Sequence, residues 1–245
     1  MIASPHDSTA MRLQGFEGRV AVVTGAGRGI GRRIAETFSA LGAATAALDL
    51  ELPEVPGSLA VQVDVTDPDS VSRAFTEVES ALGPVDILVL NAGIFLIEPL
   101  AEVSLESWRR TMAVNLDGAF LCAQQVLGGM KERGHGRIVA IGSSAGITGG
   151  SKSCAAYAAS KAGVMALAKA IAQEHMRDGI TANAVAPTLI RTPMIASMPD
   201  LASSVPVGRL GEPDDVAACV AFLCSDHASY VTGEILDVNG GWLID

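Results

Sequence analysis

Seven short runs of apolar, largely β-branched positions divide the chain. They are "RVAVVTG" (19–25), "TAALD" (45–49), "LAVQVDV" (59–65), "ILVLNAG" (87–93), "GRIVAIGSS" (136–144), "TANAVAP" (181–187) and "GEILDVNGG" (233–241). Each is apolar through most of its length, with no in–out alternation. That pattern predicts strands of a parallel sheet covered on both faces. The stretches between them read as helices with recognisable ends. Asp67-Pro68 is an N-cap followed by proline at the first helical position. Ser104 caps a helix carrying Trp108. A long helix is expected from near Asn115 to Arg133, ended by Gly134, and another from about Ala155 to Arg177, with Gly179 beyond it. Strand–helix alternation with short links predicts an α/β doubly wound fold. One link departs from the pattern. "DLELPEVPGSL", Asp49 to Leu59, holds two prolines and a glycine where a crossover helix belongs. An irregular loop or a single turn is expected there.

Composition narrows the function classes. The 245 residues suit one domain, residues 16–245, behind a polar segment, 1–15, expected to be disordered. Met1 and Met11 are both candidate starts. Hydrophobic residues make up 49% and aromatics only 4%, so Ala, Val, Leu and Ile build the core. A net charge of −10 argues against nucleic acid and anionic membrane as partners. Cys122, Cys154, Cys219 and Cys224 show no C-x-x-C spacing, and the four histidines are scattered. No metal site is expected, and the cysteines read as core residues of a reduced compartment, hence a cytoplasmic protein. No signal-type or membrane-spanning apolar run is seen.

Candidate chemistry sits at the strand ends, where open α/β sheets bind ligands. "TGAGRGIG", Thr24 to Gly31, follows the first strand and opens a helix. Gly25, Gly29 and Gly31 allow a tight turn and close approach to a pyrophosphate, and the helix N-terminus beyond offers free N–H groups. Asp49 ends the second strand, about two dozen residues past Gly25. An acid there accepts hydrogen bonds from the ribose hydroxyls of NAD and repels a 2′-phosphate. Asp64 and the Asn91-Ala92-Gly93 turn end the third and fourth strands. Ser143 and Ser144 end the fifth, and a hydroxyl there can hold a substrate oxygen. In "YAASK", Tyr157 and Lys161 stand one helical turn apart on one face, about 6 Å along the axis. A tyrosine packed at a helix start beside a solvated lysine is one reading. An acid/base pair, the ammonium lowering the phenol's pKa, is the other.

Taken in order, TG-x-x-x-G-x-G, the strand-end aspartate, NAG, Asn115, serine and Y-x-x-x-K resemble the short-chain dehydrogenase/reductase family, over about Arg19 to Asp245. The resemblance implies a Rossmann-type sheet of seven mostly parallel strands that binds a nicotinamide cofactor. It implies a catalytic tetrad of Asn115, Ser143, Tyr157 and Lys161. Tyr157 would exchange the proton and Ser143 orient the substrate oxygen. Lys161 would lower the phenol's pKa and hold the nicotinamide ribose. Asn115 would distort its helix and position a water. Gly25, Arg28, Gly29, Ile30, Gly31, Asp49, Asp64, Val65, Asn91, Ala92, Gly93, Pro187, Ile190 and Thr192, with Tyr157 and Lys161, would line the cofactor site. It also implies a homotetramer.

Two departures stand out. The usual serine–tyrosine spacing favours Ser144, whereas S-x-x-G fits Ser143 to Gly146; we assign Ser143 and place an extra residue in "TGGSKSC". Pro187-Thr188 stands where the family often has Pro-Gly. The chain's end and "VPVGRLGEPDDVA" resemble 3-oxoacyl-carrier-protein reductases, which usually take NADPH and carry an arginine where this chain has Asp178. Arg133 is the other basic residue near that place. Asp49 argues for NAD. Phe95, Leu96 and Ile97, with Ile190, Met194, Ile195, Met198, Leu201 and Val205 of a lid-like segment (189–205), suggest a mostly apolar pocket. The expected activity is NAD-dependent interconversion of a small secondary alcohol and a ketone, with the NADP-dependent carrier-protein reductase as alternative.

Overall fold

The computed structural model describes residues 13–150, 153–196 and 201–244. The apolar runs form seven strands: β1 (Val20–Thr24), β2 (Ala44–Asp49), β3 (Ser58–Gln62), β4 (Ile87–Leu90), β5 (Gly136–Ile141), β6 (Ile180–Pro187) and β7 (Ile235–Val238). They pair in the order β3-β2-β1-β4-β5-β6-β7, and every pairing is parallel. Helices α1 (Gly29–Ala40), α2 (Pro68–Leu82), α3 (Leu105–Met112), α4 (Gly118–Arg133), α5 (Ala145–Thr148), α6 (Ala155–His175) and α7 (Pro213–Cys224) surround the sheet. One apolar cluster packs α2, α4 and α6 on one face. A second packs α1 and α7 on the other. Covering both faces is what keeps the inner strands apolar along their length, while β3 and β7, at the sheet edges, are only partly buried.

The helix ends follow the sequence signals. Asp67 accepts from Asp69 N at 3.0 Å, with Pro68 beginning α2. Ser104 Oγ accepts from Ser107 N at 3.0 Å to start α3. Gly134 and Gly179 adopt left-handed φ of 66° and 76°, as glycine past a helix end does. Between β2 and β3 no helix forms. Buried Val55 anchors the loop, and Gln62 Nε2 donates to Leu50 O.

Three expectations are corrected. The helix expected to start near Asn115 begins at Leu105. It runs through a π turn, Ala113–Asp117, before continuing as α4. Residues 13–15, expected in the disordered segment, belong to the fold. Leu13 packs against the core, and Gln14 O accepts from Asp226 N at 2.9 Å. The rest of that segment, 1–12, lies outside the described residues. The helix expected to run to Arg177, α6, ends at His175, and 176–178 form a 3₁₀ turn.

The strand order reverses direction beside β1. The chain moves outward through β2 and β3, then returns to lay β4 on the other side. The loops leaving β1 and β4 therefore diverge and open a crevice at the strand C-terminal ends.

Candidate functional site

The crevice is held open by Asn91 and Thr24. Asn91 Nδ2 donates to Thr24 O at 2.8 Å and Gly25 O at 2.9 Å. Thr24 Oγ1 accepts from the backbone N–H groups of Asn91 (3.0 Å) and Ala92 (3.1 Å). The glycine loop is thus tied to the NAG turn. Gly25 has φ 64°, and a Cβ there would stand 2.8 Å from Ala92 Cα. At Gly31 a Cβ would drive into Gly25 O and Asn91 Nδ2. Neither position has room for a side chain.

A cavity of about 490 Å³ lies over this loop, lined by Gly25, Arg28, Gly29, Ile30, Gly31, Asp49, Asp64, Val65 and the Asn91–Gly93 turn. Asp49 Oδ2 accepts from Gly27 N, and its Oδ1 from Leu50 N, both at 2.7 Å. Each oxygen keeps a lone pair for a further donor. Asp64 Oδ1 accepts from Thr66 N at 2.9 Å. Sequence reasoning missed Arg110, on α3, which also lines this cavity. A helix residue before Asn115 gave no signal of facing the crevice.

A second cavity, about 430 Å³, adjoins the first; Ile30, Asn91, Gly93, Phe95, Thr192 and Met194 line both. Tyr157, Ser143 and Lys161 meet in its wall. Tyr157 and Ser143 line the same wall, and the Ser143 hydroxyl acts on the phenol by favouring its ionised form. Its ring meets Phe95 edge-on, with centroids 4.8 Å apart. Ser143 Oγ also accepts from Ala145 N at 3.2 Å. Ser144 lines the same cavity, but its backbone carbonyl starts α5 and accepts from Thr148 Oγ1. Of the two serines, Ser143 is the one whose hydroxyl acts on the phenol.

Lys161 is buried, and Nζ donates to Ile141 O at 2.6 Å, 5.8 Å from the Tyr157 ring centroid. Burial lowers its pKa to about 8. The expected lowering of the phenol's pKa is reversed in this geometry. Burial raises Tyr157 above its ordinary value, the Ser143 hydroxyl lowers it, and Cys154 raises it. Desolvation of a phenolate at this depth outweighs the other effects. A phenol kept protonated is suited to donating its proton to a carbonyl oxygen.

Asn115 lies in the π turn, fully buried. Its Nδ2 donates to Ile94 O (3.0 Å) and Ser160 Oγ (2.9 Å), and its Oδ1 accepts from Ile94 N (2.8 Å). It clamps the segment after NAG to α6 at Ser160, the residue before Lys161. The expected helix distortion is present; π turns often mark functional positions.

After β6, Pro187, Thr188, Leu189, Ile190 and Thr192 line the cavity. The change from Pro-Gly to Pro-Thr has a visible consequence. Leu189, not a glycine, takes a left-handed φ of 50°. Gly211 N donates to Leu189 O at 3.1 Å and Arg191 N to Gly211 O at 2.8 Å, which pins the turn. Thr188 Oγ1 is buried with no hydrogen-bond partner. The residue lines the cavity, so a rotation of its side chain would bring the hydroxyl to a ligand atom. Sequence reasoning passed over Thr188 because it read the residue only as a missing glycine.

The apolar lining is only partly the expected one. Phe95, Met194 and Ile195 face the second cavity. Leu96 faces the first. Ile97 is exposed, Val205 is buried in packing, and Met198 lies outside the described residues. Among the described residues no group of three or more His, Cys, Asp or Glu could hold a metal. No described helix is long and apolar enough to cross a membrane.

A glycine-lined crevice at the switch of strand order, opening on a Ser–Tyr–Lys cluster, defines an oxidoreductase of the Rossmann type. The family model described as "Enoyl-(Acyl carrier protein) reductase" matches residues 25–243, and the chain belongs to the short-chain dehydrogenase/reductase family. It is 42% identical over 239 residues to the 3-oxoacyl-[acyl-carrier-protein] reductase FabG of Escherichia coli, covering 92% of this chain and 98% of that protein. It is 39% identical over 243 residues to the (2S)-[(R)-hydroxy(phenyl)methyl]succinyl-CoA dehydrogenase subunit BbsD of Thauera aromatica, covering 93% and 97%. The 3-ketoacyl-(acyl-carrier-protein) reductase of Brucella melitensis, solved with NADH, superposes with a TM-score of 0.90 at 34% identity, covering 94% of this chain and all of that one.

The glycine cradle, the free lone pairs of Asp49 and the orphan Thr188 hydroxyl fit a nicotinamide dinucleotide. Two outcomes follow. Thr188→Val removes an unpaired buried hydroxyl, so the mutant without cofactor should be as stable as the parent or more so, by up to about 1–2 kcal/mol. It should also bind NADH about 5- to 20-fold more weakly, as a ligand hydrogen bond is lost. Thermal melts with and without cofactor, and calorimetric titration, measure both. The second outcome concerns pH. Lys161 is charged below about 8. A ligand that favours the ammonium raises that value, so affinity for NADH should fall as pH rises above about 8, by up to about tenfold per unit. Lys161→Met should flatten the profile.

Proposed function

We propose that this chain interconverts a secondary alcohol and a ketone with NAD(H), the substrate carrying mostly apolar substituents. The observation that carries the reading is the Ser143–Tyr157 pair set in an apolar cavity next to a glycine-lined one. When bound, the cofactor supplies or accepts the hydride. The substrate oxygen lies against Ser143 Oγ and the Tyr157 hydroxyl. In reduction, Tyr157 gives its proton to that oxygen as the carbon gains the hydride. Ser143 holds the oxygen in line. Lys161, tied to Ile141 O, has further protons with which it would hold the cofactor's ribose, and its charge would support the tyrosinate as it forms. Asn115 holds the Ile94 backbone and α6 in register, so Lys161 keeps its place.

Asp49 supports NAD over NADP. A 2′-phosphate beside its carboxylate would repel by about 4 kcal/mol at ~4 Å and an effective dielectric near 20, reduced by relaxation to about 1.4–3 kcal/mol. A cytoplasmic setting fits the free cysteines. A homotetramer fits the outward apolar residues of α4 and the tail. Phe120 is 45% exposed, and Ile244 88%.

The identity to FabG favours a second reading, reduction of 3-oxoacyl groups on an acidic carrier with NADPH. The surface speaks against it. Asp178 stands where such enzymes commonly carry arginine, and it accepts from His175 and lies 3.5 Å from Lys131. Arg133 donates to Val85 O and lies 3.7 Å from Asp86. Both nearby cations have acidic neighbours.

Reduction of a ketone panel with each cofactor tests the proposal. The expected result is a kcat/KM for NADH about 10- to 200-fold above that for NADPH. In Tyr157→Phe turnover should drop about 10²–10⁴-fold while NADH binding persists. Equal use of both cofactors, with acetoacetyl-carrier preferred over ketones, would install the second reading. Light scattering at micromolar protein should give a tetramer mass; a monomer mass would remove that assignment.

A further inference from the structure

Beyond β7 the chain reads "NGGWLI", Asn239 to Ile244, and in the structure this is a built turn. Asn239 is buried; its Oδ1 accepts from Gly241 N at 2.9 Å, and its Nδ2 donates to Leu243 O at 3.0 Å. Trp242 N donates to Asn239 O at 3.1 Å. Gly240 and Gly241 take left-handed φ of 59° and 83°. A Cβ on Gly240 would stand 2.8 Å from both Val205 Cγ1 and Val207 Cγ2. Val207 N donates to Gly240 O, and Thr188 N to Val238 O, each at 3.2 Å. The tail is therefore fastened to the lid and to the end of β6. The turn brings Trp242 back to the cavity that holds Tyr157 and Ser143, where its indole forms part of the wall near the mouth, 44% exposed.

The character of that wall limits what can fill it. Among the described lining residues Lys161 is the one charged side chain, and its Nζ is given to Ile141 O. A cationic substituent would find no counter-ion there, and an anionic one would have to draw Lys161 from the ribose assigned to it, so a neutral substituent fits the wall. Away from Ser143, Tyr157 and Thr188, the wall includes Phe95, Cys154, Leu189, Met194, Ile195 and Trp242. Indole, phenyl and thioether groups together suit a flat ring.

We propose that Trp242 is a specificity-determining residue, and that the substrate is a neutral ketone or alcohol with an aromatic or cyclic apolar substituent packed against the indole. This rests on the reading of the cavity as the ketone site. The chain has two tryptophans, Trp108 and Trp242, so Trp108→Phe leaves Trp242 as the single indole. Acetophenone is titrated into that variant with NAD⁺ present, where ketone and oxidised cofactor cannot react. Trp242 fluorescence should be quenched saturably; quenching that only rises linearly, as in bulk collision, would overturn the proposal. In steady state with NADH, Trp242→Ala should raise KM for acetophenone about tenfold or more, with kcat little changed. For butan-2-one kcat/KM should change less than about threefold. Trp242→Phe should keep the aryl ketone KM within about threefold of the parent, and NADH affinity should be unaltered in both variants. An equal loss for both ketones would mean that Trp242 only holds the tail, and would overturn it. If the unmutated protein reduced no ketone at all, the ketone reading would fall, and the quenching titration would still judge the aromatic site by itself.

Discussion

The buried Lys161 ammonium is the group around which the rest of the site is arranged. A cation at this depth costs free energy unless it is bonded. The fold supplies the acceptor at one place, the Ile141 carbonyl at the end of β5. Strand β5 sits between β4 and β6, so α6 must cross the sheet at that end to bring Lys161 there. Gly93 makes the approach possible. A Cβ on it would come within 3.4 Å of Nζ and 3.3 Å of Asn115 Oδ1. Asn115 then closes the arrangement by bonding Ile94 on one side and Ser160 on the other. The π turn is the backbone's means of pointing Asn115 inward.

From that anchor the division of labour between the two cavities follows. The outer one is lined by charged and polar groups, with Asp49, Asp64, Arg28 and Arg110 around a glycine loop. The inner one is mostly apolar, with Lys161 its one charged lining residue among those described. A low-dielectric inner site strengthens the hydrogen bonds aimed at a developing oxyanion, while the outer one can hold a soluble, charged nucleotide. The same apolarity raises the Tyr157 pKa. The phenol is therefore better placed as an acid than as a base, until a nearby cation offsets the cost of the tyrosinate.

Much of this was legible in the sequence, for physical reasons. All seven strands announced themselves because doubly covered strands must be apolar throughout. Asp67, Ser104, Gly134 and Gly179 marked helix ends because each satisfies or terminates a backbone in a way few residues can. The glycine loop, Asp49, NAG, Ser143, Tyr157 and Lys161 came together at one crevice because strand ends on one edge are neighbours whatever their separation in sequence. What was not legible depended on contacts between distant segments. Arg110 lines the outer cavity from α3, a placement that depends on how that helix packs. The unpartnered Thr188 hydroxyl depends on what packs around the end of β6, which no local pattern reveals. Trp242 reaches the inner cavity only through a turn whose two glycines and one asparagine look, in sequence, like the fraying end of a strand. The direction of the phenol's pKa was misjudged for a related reason. Helical spacing fixes that a lysine is near, whereas burial depends on everything packed around the pair.

The aspartate at the end of β2 shows how binding and scaffold are joined at this site. Asp49 is more than a charge facing a ribose, since its two oxygens already hold Gly27 N and Leu50 N. It fixes the glycine loop and the start of the helix-free link to β3 at the same time. A Cβ on Gly27 would lie 2.9 Å from Asp49 Oδ2, so the loop has been drawn in as far as glycine permits. Replacing Asp49 with a residue that tolerates a 2′-phosphate removes a repulsion and also releases both backbone donors. The loop would then lose part of the shape that receives a pyrophosphate, whichever cofactor carries it. Cofactor preference here belongs to the carboxylate and the loop it holds together. Arg28, exposed on that loop and lining the cavity, can add attraction for a phosphate only in the position that Asp49 gives it.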